Sequence, residues 1–331
     1  MLFGDPPYKF SVVTGAAGFL GSAVAKSLIA SLAPSDRLIL TDVTSVPSGL
    51  SLDHRVRWLQ GDISDGSLVA ELFREPIDAL VHLAGVVSGA AEADFDRGLS
   101  INVDATRALF EASARQGRSG LVPRVIYASS IAVHGVPLPG RIDDATPATP
   151  SLSYGMHKLV GELLLSELSR RGWVDGLSLR LAGVVVRPAL PNGALSGFNS
   201  DLIRETLAGR RVKSPVSPGA VIWLQSLASA VGAIERALAA KGPAPDGACV
   251  VQLPSLAASV AEILDQISQT IGRNAWQLVD FQPDPTVEPM FGRWPRDRDF
   301  ARAFAMNLPH DRSLEALIID EAARGRGPAP G

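Results

Sequence analysis

The sequence predicts an α/β protein, with a doubly wound parallel sheet and a smaller C-terminal α+β lobe. Three observations lead there. Over the first half of the chain, short β-branched runs alternate with longer stretches of helical pattern, the signature of successive βαβ units. The runs are apolar throughout, as strands covered on both faces are. A glycine-rich segment, TGAAGFLG at 14–21, joins the first run to the first helical stretch.

Taken in order, the predicted strands are Phe10–Thr14, Leu38–Thr41, Val56–Leu59, Ala79–Leu83, Arg124–Ser129 and Leu177–Leu181. The helices are Gly18–Leu32, Gly66–Phe73, Gly98–Gln116 and Ser153–Arg171. Turn-forming residues close several strands: Gly15 the first, Asp42 the second, Gly61-Asp62 the third and Ser129-Ser130 the fifth. After about Pro188 the rhythm changes and proline and glycine become frequent. Strand-like pieces (Ala220–Gln225, Ala248–Leu253, Ala275–Phe281) are then separated by helical ones (Asp201–Leu207, Leu227–Ala240, Ala257–Ile271), and Pro283–Pro295 reads as a loop. This divides the chain into a domain over 1–185 and a smaller lobe over 186–331, interleaved with it. The tail 324–331 is expected to be disordered.

Composition narrows the function. The chain has 331 residues, 46% apolar and 20% charged, with net charge −3. Nothing resembles the basic stripe of a nucleic-acid binder. The single cysteine, Cys249, excludes an internal disulfide and points to a reducing compartment. It reads as a small buried hydrophobe. No apolar run approaches the roughly 20 residues that span a bilayer, and the N-terminus lacks a signal-peptide layout. The expectation is a cytoplasmic protein with neither nucleic acid nor membrane as partner.

The glycines carry the first chemistry. Gly15, Gly18 and Gly21 form G-x-x-G-x-x-G between a strand and a helix. The first allows a tight turn, the second lets backbone approach a pyrophosphate, and the third lets helix and sheet pack closely. N–H groups opening the helix, at Phe19 and Leu20, then face the phosphates, aided by the helix dipole. This is the dinucleotide-binding turn of a Rossmann-type sheet; the rival reading is a tight turn without ligand. Asp42 ends the second strand, where a carboxylate accepts ribose hydroxyls and repels a 2′-phosphate. Neither Val43 nor Thr44 offers an arginine, so NAD is favoured over NADP. Asp62 and Ile63 follow the third strand, where an adenine would lie, with Asp62 as a plain turn residue the alternative.

Tyr154 and Lys158, in Tyr-Gly-Met-His-Lys, share one helical face. A free tyrosine titrates near 10 and is a poor base. A neighbouring ammonium favours the phenolate, so a tuned tyrosine can take a hydroxyl proton while hydride leaves the same carbon; Lys158 can also hold the nicotinamide ribose, which makes both Tyr154 and Lys158 cofactor contacts.

TGAAGFLG, Asp42, GDI, HLAG (82–85), SSIAVHG (129–135) and YGMHK together resemble the extended short-chain dehydrogenase/reductase family. The resemblance implies that Ser130 bonds the reacting oxygen, with Ser129 able to make a similar contact. It implies that Leu83, Ala84 and Gly85 line the cofactor. It makes Asn102 the holder of a water that relays protons to Lys158, against the alternative of a structural amide. A dehydratase is disfavoured, since Ile131 and Ala132 stand where its extra acid and base would be.

Longer stretches, among them VVSGAAEADFD (86–96), VVVRPALPNGALSGFNSDLIRE and FGRWPRDRDFARAFAMNL, resemble the D-erythronate dehydrogenase group within that family. This implies NAD-dependent oxidation of the C2 hydroxyl of a small sugar acid by Tyr154, Lys158 and Ser130. Ser88 and Asn192 would help bind substrate, with Asn199 facing the site, and the lobe over 186–331 would complete the substrate site. A carboxylate wants an arginine fork; Arg187, Arg141 and Arg293 are candidates the sequence does not rank. Trp223 is a pocket wall or core. His134 and His157 lack clustered carboxylates or cysteines nearby, so no metal is expected. The family also implies a homodimer through the helices 98–116 and 153–171. The alternatives are a nucleotide-sugar 4-epimerase and a non-catalytic NAD sensor.

Overall fold

The computed structural model describes residues 8–50, 52–188 and 195–325. Its centre is a seven-stranded, all-parallel sheet. The spatial order is Val250–Gln252, Asp175–Leu181, Arg124–Ser130, Ala79–His82, Phe10–Thr14, Arg37–Asp42, Val56–Gln60. The order reverses at Phe10–Thr14. In such sheets the crevice outside the strand carboxyl ends at the reversal is where ligands bind.

Alternation along each strand sorts the core into two layers. Val13, Leu38, Leu40, Val81 and Ile126 pack on one face with Val24 and Leu28 of the helix Phe19–Ser31 and Ile234 of the helix Leu227–Ala239. Val12, Ile39, Leu80, Val125 and Tyr127 face the other way, against Leu109 and Phe110 of Thr106–Arg118 and Leu165 of Ser153–Arg170. Helices therefore cover both faces of the sheet.

A third core joins Val185, Phe198, Ile203, Ile222, Leu224 and Ile263 in the smaller lobe. Its three-stranded sheet runs Leu256–Ser259, Val221–Ser226, Gly183–Val185. The two parts interleave: Val250–Gln252 leaves the lobe to pair in parallel with Ser178–Arg180 of the central sheet.

Several elements differ from expectation. The stretch 98–116 is not one α-helix: Phe95–Leu99 is α-helical, Ser100–Ala105 is a π-helical insert, and Thr106–Arg118 resumes the α-helix. Residues 275–281 are a 3₁₀ turn, Ala275–Leu278, followed by the short strand Val279–Phe281. The helix expected from Ala257 begins at Val260, because Leu256–Ser259 pairs with Val221–Leu224 and Ser259 then caps the helix with Glu262 in a capping box. The supposed loop 283–295 contains the helix Val287–Phe291. Its Pro289 lies in the first turn, where the missing N–H costs no intrahelical bond. Of the tail 324–331, residues 326–331 lie outside the described residues.

Candidate active site

The glycine turn is as tight as its sequence demands. Gly15 has φ +70°, and a Cβ there would stand 2.6 Å from the Ala84 nitrogen. A Cβ on Gly21 would stand 1.9 Å from the Gly15 carbonyl oxygen, so the helix packs against the turn with no room for a side chain. Gly18 caps Phe19–Ser31 with no side-chain hydrogen bond and no acidic residue in the first turn. Its leading N–H groups are thus available to an anion. Asp42 braces the turn from the next strand: Oδ2 accepts from the Ala17 N–H at 3.0 Å, and Oδ1 from Thr44 N at 3.1 Å. This cradle fits a dinucleotide.

Beneath it, Thr14 Oγ1 lies 2.7 Å from His82 Nδ1, and His82 Nε2 lies 2.9 Å from Thr106 Oγ1. Burial first, and the charge of Lys158 second, press the His82 pKa down to about 3. The ring is neutral, and both its nitrogens have hydroxyl partners. Ala84 N–H donates to the same Thr14 hydroxyl at 3.3 Å, which fixes the chain at Leu83–Gly85.

Three strand and helix ends converge on a cleft of about 350 Å³. Gly15, Gly18, Phe19, Leu20, Gly21, Leu83 and Gly85 line one side, with Ser88, Ser129, Ser130, Tyr154 and Lys158. Tyr154 and Lys158 sit one turn apart on Ser153–Arg170, and Ser130 ends the strand Arg124–Ser130. Ser130 Oγ accepts from the Ala132 N–H at 3.1 Å. Lys158 Nζ lies 4.7 Å from the Tyr127 ring centroid and 5.6 Å from that of Tyr154. Burial pulls the Lys158 pKa down to about 8, opposed by Glu162. Burial raises the Tyr154 phenol above its ordinary value, while the Arg187 guanidinium and a hydrogen bond from Ser130 pull it back. The phenol thus stands above its ordinary value, with Arg187 the cation that opposes the rise and Lys158 Nζ close to its ring.

Ser129 reaches the cleft, but its hydroxyl donates to Glu162 Oε1 at 2.5 Å. Glu162 in turn receives Arg180 Nε at 2.8 Å and Nη2 at 2.7 Å, all three residues being buried. Ser129 is thus tied into a network under the floor, which the expected substrate contact did not foresee. Glu162 lies two turns beyond Tyr154 on the same helical face, a spacing visible in the sequence. Its partner on a distant strand is not.

Other expected residues divide. Asn102 is buried in the π-helical insert; Val86 N–H donates to its Oδ1 at 2.7 Å, and its Nδ2 donates to Val86 O at 2.9 Å. Its side chain clamps the segment beside Gly85. A Cβ on Gly85 would lie 3.0 Å from Asn102 Oδ1 and 3.7 Å from Lys158 Nζ. Asp62 is exposed and accepts from Ser64 N and Oγ at 2.9 and 2.8 Å, as a turn residue does. Ile63 is buried. Neither lines the cleft, nor does Ala84 beyond its backbone bond. Ser88 Oγ accepts from Leu195 N at 3.1 Å. Asn192 lies outside the described residues.

The far wall comes from the smaller lobe: Gly183, Arg187, Asn199, Trp223, Met290, Phe291 and Trp294. Trp223 Nε1 donates to Pro295 O at 2.8 Å, and its ring stands 5.0 Å from that of Trp294. Of the three candidate arginines, only Arg187 lines the cleft. Arg141 is paired with Asp297 and Asp299 at 2.8 and 3.1 Å. Met290, Phe291 and Trp294 went unread because their segment looked like a loop.

The family model described as "NAD dependent epimerase/dehydratase family" matches residues 11–221. A D-erythronate dehydrogenase of Cupriavidus necator is 39% identical over 315 residues, covering 93% of this chain and 96% of that one. A D-erythronate dehydrogenase of Haemophilus influenzae is 34% identical over 308 residues, with the same coverage. Among solved structures, a nucleoside-diphosphate-sugar epimerase from Agrobacterium tumefaciens superposes with TM-score 0.84 at 33% identity, over 96% of this chain and 95% of that one.

Proposed function

Since the chain belongs to the NAD dependent epimerase/dehydratase family and is an NAD-dependent oxidoreductase, we propose that it oxidises the C2 hydroxyl of a small sugar acid, D-erythronate, to the 2-oxo acid. The observation that carries this reading is the convergence of Ser130, Tyr154 and Lys158 on the cleft bordered by the glycine turn. The names of two relatives matched over nearly their whole length supply the substrate.

In this mechanism the Ser130 hydroxyl donates to the substrate oxygen and fixes its position. Tyr154 takes the hydroxyl proton as the C–H bond at the same carbon breaks. The Gly15–Gly21 backbone would hold NAD, with Asp42 toward its ribose, and the bound cofactor would supply the hydride acceptor. Lys158 holds positive charge beside the phenol. Asn102, bonded to the Val86 backbone, holds the Gly85 segment against Lys158. The products are the 2-oxo acid, NADH and one proton.

A panel of C4 to C6 sugar acids incubated with NAD tests the reading. NADH is expected to accumulate fastest with D-erythronate, together with a carbonyl product trapped by a hydrazine. The Agrobacterium neighbour's name favours a second reading, a nucleotide-sugar 4-epimerase, in which hydride returns to the substrate and NADH never accumulates. The far wall argues against it. Lys158 and Arg187 are the only lysine or arginine among the described residues lining the cleft, whereas a nucleoside diphosphate needs several cationic or N–H contacts. The proposal includes a homodimer through the stretches 98–116 and 153–171, on the second of which Val160 and Leu163 stand exposed; light scattering reads its mass directly.

A further inference from the structure

We propose that Arg187 is the seat of the substrate carboxylate, and that its place in the same cleft as Tyr154 selects acids whose carboxylate is bonded to the carbon being oxidised. This rests on the reading of the protein as a sugar-acid dehydrogenase and adds the residue that makes it one.

Arg187 follows the strand Gly183–Val185, which pairs in parallel with Leu224–Ser226. Its backbone is anchored, since Arg204 Nη1 donates to the Arg187 carbonyl at 2.6 Å. Among the described residues its side chain makes one hydrogen bond, from Nε to Val184 O at 3.2 Å, and no carboxylate lies within ion-pair distance. The two terminal nitrogens of the guanidinium are the ones that grip a carboxylate edge-on. The neighbouring arginines are spent: Arg180 on Glu162, and Arg204 on Asp201 and Glu205.

Partial burial of a cation without an anion is unfavourable unless a ligand supplies the anion. The charge of Arg187 is felt at Tyr154, and both side chains line one cleft. A 2-hydroxy acid meets this arrangement, because one C–C bond separates its carboxylate from the reacting carbon. A 3-hydroxy or terminal hydroxyl would place the carboxylate further from the phenol. Asn199, on the same wall, is buried with its Oδ1 unpartnered.

The test compares wild type with R187Q and R187K, using D-erythronate and its neutral C1 amide as substrates. Oxalate is a second, non-reacting probe, with binding to the NADH-loaded enzyme followed by NADH fluorescence. Wild type is expected to prefer acid over amide. R187Q should raise KM for the acid on the order of 100-fold, bring the acid-to-amide ratio close to one, lose oxalate binding and keep its NAD affinity. R187K should recover part of the acid preference, since it keeps the charge and lacks the fork. A merely structural arginine would depress acid and amide alike. Retention of the acid preference or of oxalate binding by R187Q overturns the proposal. If wild type turns over no 2-hydroxy acid, yet oxalate binding is present and vanishes in R187Q, the anion seat stands and the dehydrogenase reading falls.

Discussion

The floor of the cleft and its far wall are built in opposite ways. The floor is backbone at Gly15, Gly18 and Gly21, followed by Ser130 at the end of a central strand and Tyr154 and Lys158 in the first turns of the helix Ser153–Arg170. The wall is side chain: Arg187, Asn199, Trp223, Met290, Phe291 and Trp294, drawn from separate segments of the smaller lobe. On the proposed reading, backbone and the Tyr154 phenol serve any alcohol that reaches them, and side chains on the wall decide which alcohol does.

Tyr154→Phe is expected to have the largest effect. It removes the proposed proton acceptor and should lower kcat by about 1,000-fold or more, with NAD titration unchanged, because the glycine turn that would seat the dinucleotide is backbone the substitution leaves alone. Near-wild-type kcat would place the base elsewhere and dissolve the distinction between floor and wall. Gly21→Val comes next. Even a Cβ at this position meets the Gly15 carbonyl at 1.9 Å, so the turn must open. Calorimetric NAD binding should weaken on the order of 100-fold with a lower Tm, while an unaltered Kd would show the turn is not the cradle.

Asp42→Ala acts on the floor's outer edge. It frees the Ala17 N–H and removes the charge that repels a 2′-phosphate, so the NAD-to-NADP ratio of kcat/KM should fall about tenfold. An unchanged ratio assigns cofactor choice to another residue. The smallest effect concerns pH. Burial foremost, and the Arg180 charge, hold His134 down to about 4 against an ordinary 6.5. Between those values the unfolded chain binds a proton the native ring refuses, so stability is full above about 6.5 and declines as pH falls toward 4. Urea midpoints at neutral pH and near the lower value should differ less in His134→Gln than in wild type; equal slopes would mean the ring titrates freely.

The same division explains what the sequence disclosed. The Gly15–Gly21 turn and the Tyr154–Lys158 pair are local spacings, the first running from the strand Phe10–Thr14 into the helix Phe19–Ser31 and the second lying on one helix. Ser129 beside Ser130 was ambiguous as a dipeptide. Strand alternation sends neighbours to opposite faces, and Ser129 goes to Glu162. Asn102 hides in a π-helical insert that periodicity does not distinguish from α-helix. Met290 and Phe291 were masked by prolines that read as loop, although one of them sits harmlessly in a first helical turn. The wall needs the third dimension: Arg187 and Trp294 are far apart in sequence and become neighbours of one cleft only when the lobe folds back.

The central claim is that the floor removes hydride from C2 of an acid whose carboxylate the wall holds. D-erythronate deuterated at C2, incubated with the enzyme and NAD, tests it directly. The account predicts deuterium in the reduced nicotinamide and slower turnover than with the unlabelled acid. NADH free of deuterium, or no NADH from this acid at all, contradicts it.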